Sequence, residues 1–270
     1  MTTIALHQAP HWKPVLRQQI RTTGASVRTP AVVVGSVVAL FCVLSVISAA
    51  RTTSANSIHH GYSFDPGILA PMFLLGLLTA AAVWQREEPS RRGYHLAMPV
   101  PATQHTALRV LVGWGWLMLG IAVLWVFIGL TNAAITGIAG GAPPYATPVS
   151  RWFWFEPFAS ATMTYLLAST VMVAAERPLG WLVGIPTGLA VTLQIPERVH
   201  ADAAVKLLQR LSDSPFALGT PFWPVFQHTA DFGRYWIVDW QRSLLATGIW
   251  TAIGIAGVWL AARKHPRGAK

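Results

Sequence analysis

The sequence predicts an all-α membrane protein with six transmembrane helices, and three observations support this prediction. Only 11% of the 270 residues are charged, whereas 53% are hydrophobic. A soluble domain carries roughly a quarter charged residues, so this chain cannot cover itself with hydrated side chains. Six apolar runs contain no Lys, Arg, Asp or Glu, and each is close to the roughly twenty residues that a helix needs to cross a bilayer. The charges between these runs are also distributed unequally between the two sides of the membrane.

A single transmembrane domain over residues 1–270 is predicted from these runs. The first run is expected to be a retained anchor rather than a signal peptide, because it is long and about thirty residues precede it. The predicted spans cover residues 31–50, 67–84, 110–130, 157–175, 179–196 and 243–262. Residues 1–30 are predicted as a cytoplasmic interfacial helix, 31–196 as spans one to five, 197–240 as an outer segment, 241–262 as the sixth span and 263–270 as a cytoplasmic tail.

The distribution of charge predicts the orientation. With six spans, both termini lie on one side, and the formal net charge of +10 falls there because cations and acids on the other side cancel. The positive-inside rule makes that side cytoplasmic. Because membrane insertion already explains the basic residues, no nucleic-acid partner is expected. The Ala-, Trp- and Arg-rich composition is typical of a high-GC bacterium, and the predicted location is the bacterial inner membrane with both termini cytoplasmic.

The segment before the first span has a helical period of its own. Apolar side chains recur every four residues, cations recur one position further on, and Gly24 stands near the end of the pattern. The pattern predicts an amphipathic helix on the inner membrane surface, with its cations at lipid phosphates. A disordered basic tail is the alternative. The apolar positions are Trp12, Leu16 and Ile20, and the cations are Lys13, Arg17 and Arg21.

The loop between the second and third spans concentrates mixed charge. Its sequence, "WQREEPSRRGYHLAMPVPATQHTALRV" from Trp84 to Val110, places a charged cluster, a glycine and an aliphatic, proline-containing stretch before Arg109. Mixed charges set the register and orientation of a partner more than they supply affinity. The candidate contact residues are Arg86, Glu87, Glu88, Arg91, Arg92, Gly93, Tyr94, Leu96, Met98 and Pro99. A solvated loop whose charges only maintain topology is the alternative.

This loop resembles the coupling loop of the ABC type-2 permease family, the membrane subunits of ATP-binding-cassette exporters. In that family an acidic turn and a glycine lead to a leucine, a Pro-Val pair and a basic residue that enters the third span. Glu87, Gly93, Leu96, Pro99 and Arg109 stand at the corresponding places, although Pro89 to Arg92 loosen the spacing before the glycine. The resemblance extends over most of the chain.

The resemblance implies an exporter subunit without an ATPase of its own. It implies separate ABC ATPase subunits that bind ATP and Mg, and a second permease subunit, identical or paralogous. The turn at Glu176 and Arg177 would be a second cytoplasmic contact. None of the four lysines follows a glycine, so the phosphate-binding G-x-x-x-x-G-K-[ST] motif is absent from the sequence.

A stripe of small residues marks the fifth predicted span. Gly180, Gly184, Gly188 and Thr192 recur every four residues, a spacing that lets helices approach closely in lipid. This face is expected to pack within the subunit or across a dimer. A weaker line of small residues, Gly248, Ala252 and Ala256, follows the sixth span.

The cargo is predicted to be an apolar or amphipathic small molecule such as a drug, antibiotic or lipid. Secondary transporters usually hold an ionisable group at membrane depth, and the predicted spans contain no carboxylate and no histidine. Four aromatic side chains of the third span are candidates for the substrate path, with interface anchors or core as the alternative. These are Trp114, Trp116, Trp125 and Phe127.

The outer segment and the remaining polar residues complete the prediction. The pattern of Ala204, Leu207, Leu208 and Leu211 predicts an amphipathic surface helix, and the resemblance implies re-entrant helices before the sixth span. No metal site, bound cofactor or catalytic residue is expected, since the adjacent histidines 59 and 60 are poorly spaced for a metal. The alternative function is a non-transporting membrane scaffold or sensor partner with the same topology.

Overall fold

In a computed structural model, residues 12–53, 70–85, 102–138, 155–175, 177–184, 226–227, 237–238 and 240–264 are described. Six helical segments and one small strand pair lie in these ranges. The helices are α1 (Trp12–Thr53), α2 (Ala70–Trp84), α3 (Ala102–Ile138), α4 (Glu156–Ala174), α5 (residues 178–184) and α6 (Trp240–Lys264). The antiparallel strands β1 (Phe226–Gln227) and β2 (Ile237–Val238) pair Phe226 with Val238.

Four of the described helices are long and apolar enough to cross a membrane. The qualifying stretches are Lys13–Ser48, Thr103–Ile135, Glu156–Ala174 and Gln241–Arg263. They contain the predicted third and sixth spans and nearly all of the first and fourth. The second predicted span appears as the shorter apolar helix α2. Of the fifth predicted span, only the residues of α5 lie within the described ranges.

Helix α1 differs from the prediction at its N-terminal end. It is one helix of 42 residues that continues through Gly24 and contains Pro30. A proline inside a helix removes one backbone hydrogen bond, a loss that transmembrane helices tolerate when neighbouring helices pack against them. A separate interfacial helix ending near Gly24 was therefore the wrong prediction, because this part of α1 packs along α3 instead.

Contacts along α1 and α3 show that the two helices run in the same direction. Gln19 contacts His105, and a Cβ added at Gly35 would touch Leu124. At 1.5 Å per residue α1 is about 60 Å long and α3 about 55 Å, roughly twice the thickness of the hydrocarbon core. Both helices therefore extend well beyond one bilayer core.

Helices α2 and α4 run opposite to α3. Along the α2–α3 pair, Val83 contacts Arg109, and a Cβ at Gly120 would lie 3.5 Å from Leu75. The residue numbers increase in opposite directions, as they do between α4 and α3, where Tyr165 bonds to Val110. Helix α4 is the most buried of the four long helices and forms the centre of the bundle.

Helices α4 and α6 run in the same direction. A Cβ at Gly254 would lie 2.7 Å from Leu166, and a Cβ at Gly257 would lie 2.7 Å from Thr170. The residue numbers increase together, so the chain between α4 and α6 must return to the opposite end of the bundle. The beginning of α1 and the end of α6 therefore lie at one end, which we call the inner end.

The surface of the long helices is strongly apolar. Such an exposed surface would be costly in water and is typical of a membrane or partner-binding face. The exposed apolar side chains include Val32, Val37, Leu40 and Phe41 of α1, Leu111, Leu119, Val123, Val126 and Leu130 of α3, and Ile253, Ile255, Trp259 and Leu260 of α6.

Candidate functional site

The predicted coupling-loop residues, 86–99, lie outside the described residues, but the structure describes both ends of this loop. Helix α2 ends at Trp84, with Gln85 following as a turn, and α3 begins at Ala102. The described side chains at this end of the bundle therefore show how the base of the loop is held.

Arg109 holds the end of α2 against the beginning of α3. Its Nε donates to the carbonyl oxygen of Val83 at 3.1 Å, and a terminal guanidinium nitrogen donates to the same oxygen. Its guanidinium carbon also lies 5.4 Å from the ring centre of Trp84, within cation–π range. The last carbonyls of a helix lack partners within it and carry partial negative charge, so a cation stabilises them. Arg109 thus caps α2 from the neighbouring helix.

Tyr165 connects α4 to the same place. Its buried hydroxyl donates to the carbonyl oxygen of Val110 at 3.1 Å. Gly113 lies directly beside this hydroxyl, and a Cβ there would overlap it and approach Val83 Cγ2 to 3.0 Å. A side chain at position 113 would therefore separate helices α2, α3 and α4 where they meet.

Helix α1 contacts α3 on both sides of this place, at His105, one turn before Arg109, and at Trp116, about two turns after it. The side-chain nitrogen of Gln19 lies 2.7 Å from Nε2 of His105, and both side chains are buried. The indole nitrogen of Trp116 donates to the carbonyl of Ile20 at 3.2 Å, and a Cβ at Gly24 would come within 2.8 Å of the indole. Gly24 is needed for this close approach, and the sequence pattern alone suggested a helix end instead.

We call this set of contacts the inner junction. It joins four helices around the base of the α2–α3 loop and contains a buried polar bond, a capped helix end and a close glycine contact. Its residues are Gln19, Val83, Trp84, His105, Arg109, Val110, Gly113 and Tyr165. The loop pattern in the sequence indicated Arg109. It did not indicate that Arg109 bonds to Val83, or that the other residues of the inner junction contact one another.

The predicted second cytoplasmic contact lies at the same end. Because α4 runs opposite to α3, its C-terminal end is level with the beginning of α3. Arg177, which follows α4, is exposed there, while Glu176 lies outside the described residues. The two predicted contacts are therefore on one end of the bundle.

The described glycines of the predicted small-residue stripes are not the glycines that make close helix contacts. No atom that the structure describes lies within 4 Å of a Cβ added at Gly180 or Gly184, and Gly188 and Thr192 fall outside the described ranges. Along α6, Gly248, Ala252 and Ala256 are exposed. The close contacts of α6 are made by Gly254 and Gly257, on the face that packs against α4.

The predicted aromatic path is divided between different surroundings. Trp114 donates to the Thr162 hydroxyl of α4 at 3.0 Å, whereas Trp116 packs on α1. Positions two apart on a helix point about 200° from one another, so these rings face different neighbours. Trp125 is buried in the core, and Phe127 is exposed. The structure does not bring the four rings together into one wall.

A buried carboxylate lies at the other end of the bundle, which we call the outer end. Glu156 is the first residue of α4 and is only 3% exposed. The sequence interpretation placed it just outside the fourth span, but it belongs to the stretch that can cross a membrane. Glu156 stands at the first position of that stretch, so the expectation that no carboxylate lies at membrane depth stays a prediction. In the described residues, no group of three His, Cys, Asp or Glu side chains is placed to hold a metal ion.

In the part of the chain that the structure describes, these features define a class: a helical bundle with an apolar surface, four helices long and apolar enough to span a membrane, and the inner junction. Comparison with protein-family models, with curated proteins and with solved structures gives no match.

Proposed function

We propose that this protein is the permease subunit of an ATP-driven exporter of the ABC type-2 kind, located in the inner membrane of a bacterial cell. It moves an apolar or amphipathic small molecule outward, together with separate ATPase subunits and a second permease subunit. The single observation that supports this proposal most is the inner junction, because it connects the base of the α2–α3 loop to four helices.

The inner junction suits a loop that receives force. A displacement of the loop acts on α2 through the Arg109 cap and on α3 directly. Tyr165 and Gln19 then carry the displacement to α4 and α1. Close-packed interiors transmit strain because they have few voids in which to absorb it. A loop whose charges served topology alone would not need such a base.

The directions of the helices support a six-span arrangement. Since α4 and α6 run in the same direction, the segment between them has to cross back once, and the apolar run over 179–196 supplies the length. Both termini and the α2–α3 loop then lie at the inner end, where the excess positive charge places the cytoplasm.

Co-purification tests the proposal. The ATPase encoded beside this chain is expected to bind the wild-type protein and to be lost when Glu87, Glu88, Arg91 and Arg92 are all replaced by alanine. A matched variant replaces two acids and two bases of the outer segment, Asp202, Lys206, Arg210 and Asp213, and is expected to retain the ATPase. Equal retention by both variants would contradict the coupling role.

ATP hydrolysis in proteoliposomes then distinguishes a transporter from a scaffold or sensor partner. A transporter is expected to hydrolyse ATP faster when a hydrophobic cargo is added, because cargo and nucleotide act on coupled states. A scaffold with the same topology would bind the ATPase without that response.

A further inference from the structure

One face of helix α1 carries three arginines. Arg17, Arg21 and Arg28 lie within about 40° of one another around the helix axis, and all three are exposed. We call these three residues the cationic face. Helix α1 contains no Asp or Glu, and among the described residues only Glu156 is acidic, which is buried in α4. Like charges four residues apart destabilise a helix, so the energetics of α1 alone do not explain the cationic face.

The contacts of α1 place the cationic face level with α4. A Cβ at Gly24 would come within 2.8 Å of the indole of Trp116 on α3. Two positions earlier on α3, Trp114 donates to Thr162 at 3.0 Å, and Thr162 is the seventh of the 19 residues of α4. The arginines three positions before and four positions after Gly24 lie within about 6 Å of it along the axis. Both are therefore at the depth of a helix that can cross a membrane.

Helix α6 indicates where the inner surface of the membrane lies. The Arg263 guanidinium stacks on the exposed ring of Trp259 at 3.5 Å, and aromatic rings with a cation beside them are typical of the headgroup level. Gly254 contacts Leu166, so the level of Thr162 is four positions before Gly254. Arg263, nine positions after Gly254, therefore lies roughly 20 Å further inward. A phospholipid phosphate at that level is too far away to reach the middle of the cationic face.

The depth of the cationic face restricts what can contact it. An ionisable side chain at membrane depth faces protein or a water-filled cavity rather than lipid tails. Beyond Arg28 the same face of α1 becomes apolar, since Val32 and Val43 lie within about 60° of Arg28 and are exposed. Guanidinium groups pair with carboxylates and phosphates through two parallel bonds. A molecule with an anionic head and an apolar body matches this order of side chains.

We propose that the cationic face binds the anionic group of an amphipathic cargo. The side chains of Arg21 and Arg28 donate hydrogen bonds to a carboxylate or phosphate between them, and the apolar body of the cargo lies along α1 from Val32 outward. The proposal rests on the exporter function, whose cargo class it names, although binding itself does not require the ATPase.

Equilibrium dialysis measures the binding. The purified protein is reconstituted in phosphatidylcholine vesicles, and vesicles without protein correct for partition into lipid. The probes are 1-naphthylacetate and 1-naphthylacetamide, which have nearly the same shape and differ in charge. The wild-type protein is expected to bind the acetate about tenfold or more tightly than the amide, the range of a hydrogen bond to a charged group. Equal binding of the two probes would overturn the proposal.

Replacing Arg21 and Arg28 together by glutamine is expected to abolish this preference and to leave amide binding unchanged. Glutamine keeps hydrogen-bond donors at both positions and removes the charge. Arg263→Gln is the matched control, because it removes an exposed cation from another helix, and it is expected to retain the preference. A preference that survives the double replacement, or that is lost equally in the control, would contradict the site.

The single variants Arg21→Gln and Arg28→Gln cover the case in which the double variant fails to fold, which circular dichroism and gel filtration detect. Each is expected to weaken acetate binding several-fold, and unchanged binding in both would contradict the site.

Phosphatidylglycerol added to the vesicles distinguishes a cargo from a lipid. The difference in acetate binding between the wild type and the arginine variants is expected to persist. Its loss would assign the cationic face to a lipid headgroup and overturn the cargo site. Failure of the exporter proposal is recognised separately, since it appears in the co-purification of the ATPase, which dialysis of the isolated protein does not involve.

Discussion

At the scale of single residues, Arg109 connects the loop pattern of the sequence with the structure. A basic residue at the entrance to a span is ordinarily explained by membrane topology. Here its guanidinium also bonds the Val83 carbonyl and lies over the Trp84 ring. Two bonds to one carbonyl together with flat stacking on the ring need the planar, forked shape of arginine, which lysine does not have.

Arg109→Lys therefore separates binding from coupling. The positive charge remains, so the topology and the loop are preserved and the ATPase is expected to co-purify normally. The two guanidinium bonds to Val83 are reduced to one at most, which costs about 1 kcal/mol of stability and loosens the end of α2. Cargo-stimulated ATP hydrolysis in proteoliposomes is expected to fall several-fold.

Lys13→Arg, on the exposed beginning of α1, is the matched control for this exchange. It should leave both co-purification and hydrolysis unchanged. Loss of ATPase binding in Arg109→Lys would show that Arg109 belongs to the docking surface itself, and an unchanged response to cargo would remove its role in coupling.

At the scale of elements, glycine determines how closely the helices pack. Two helices in lipid associate through packing, so small residues at their contact bring the backbones together. The contact of α6 with α4 is made by Gly254 and Gly257, and Thr170 also donates to the carbonyl of Gly254 at 3.2 Å. A regular spacing of small residues does not by itself identify the contact face, as the exposed line at Gly248 shows.

Gly254→Ala is expected to destabilise the protein. Its Cβ would lie 2.7 Å from Cβ of Leu166, which cannot move aside by rotating because it is fixed to the backbone of α4. Overpacking of this kind costs typically 1–3 kcal/mol. Thermal unfolding in detergent should show a clear decrease of the midpoint. Gly248→Ala, with no described atom within 4 Å, should unfold like the wild type, and equal midpoints for the two variants would contradict the α4–α6 contact.

The beginning of α1 offers a second prediction at this scale. With Cys42 replaced by serine, cysteines at positions 19 and 105 are expected to be joined by a short bifunctional thiol reagent, because the native side chains meet at 2.7 Å. Gel mobility measures the cross-link. A pair at positions 21 and 105 is the control, since Arg21 is exposed. A helix lying flat on the membrane would give no cross-link in the first pair.

At the scale of the whole molecule, hydropathy was sufficient to locate the long helices but not their contacts. Apolar composition at the required length identifies the helices that can cross a membrane, because lipid imposes the same requirement on every span. The position of Gly24 in the first helical pattern predicted a helix end there. In the structure the helix continues, and the indole of Trp116 occupies the space beside the Gly24 backbone. The inner junction likewise depends on pairs distant in sequence, such as Tyr165 with Val110, which no local pattern contains.

The six-span topology is the prediction that concerns the molecule as a whole. Single cysteines are placed at position 214 of the outer segment and at position 267 of the C-terminal tail, again with Cys42 replaced by serine. A thiol reagent that cannot cross the membrane is expected to label position 214 in intact spheroplasts, and to label position 267 only after lysis. The reason is that α4 and α6 run in the same direction, so the beginning of α6 lies at the outer end of the bundle and its end at the inner end, and the positive-inside rule predicts that the inner end faces the cytoplasm. A cysteine at position 3, before α1, should behave like position 267, since an even number of spans leaves both termini in the cytoplasm. Labelling of position 3 in intact spheroplasts with protection of position 214 would reverse the orientation and place the α2–α3 loop outside, where no ATPase could reach it.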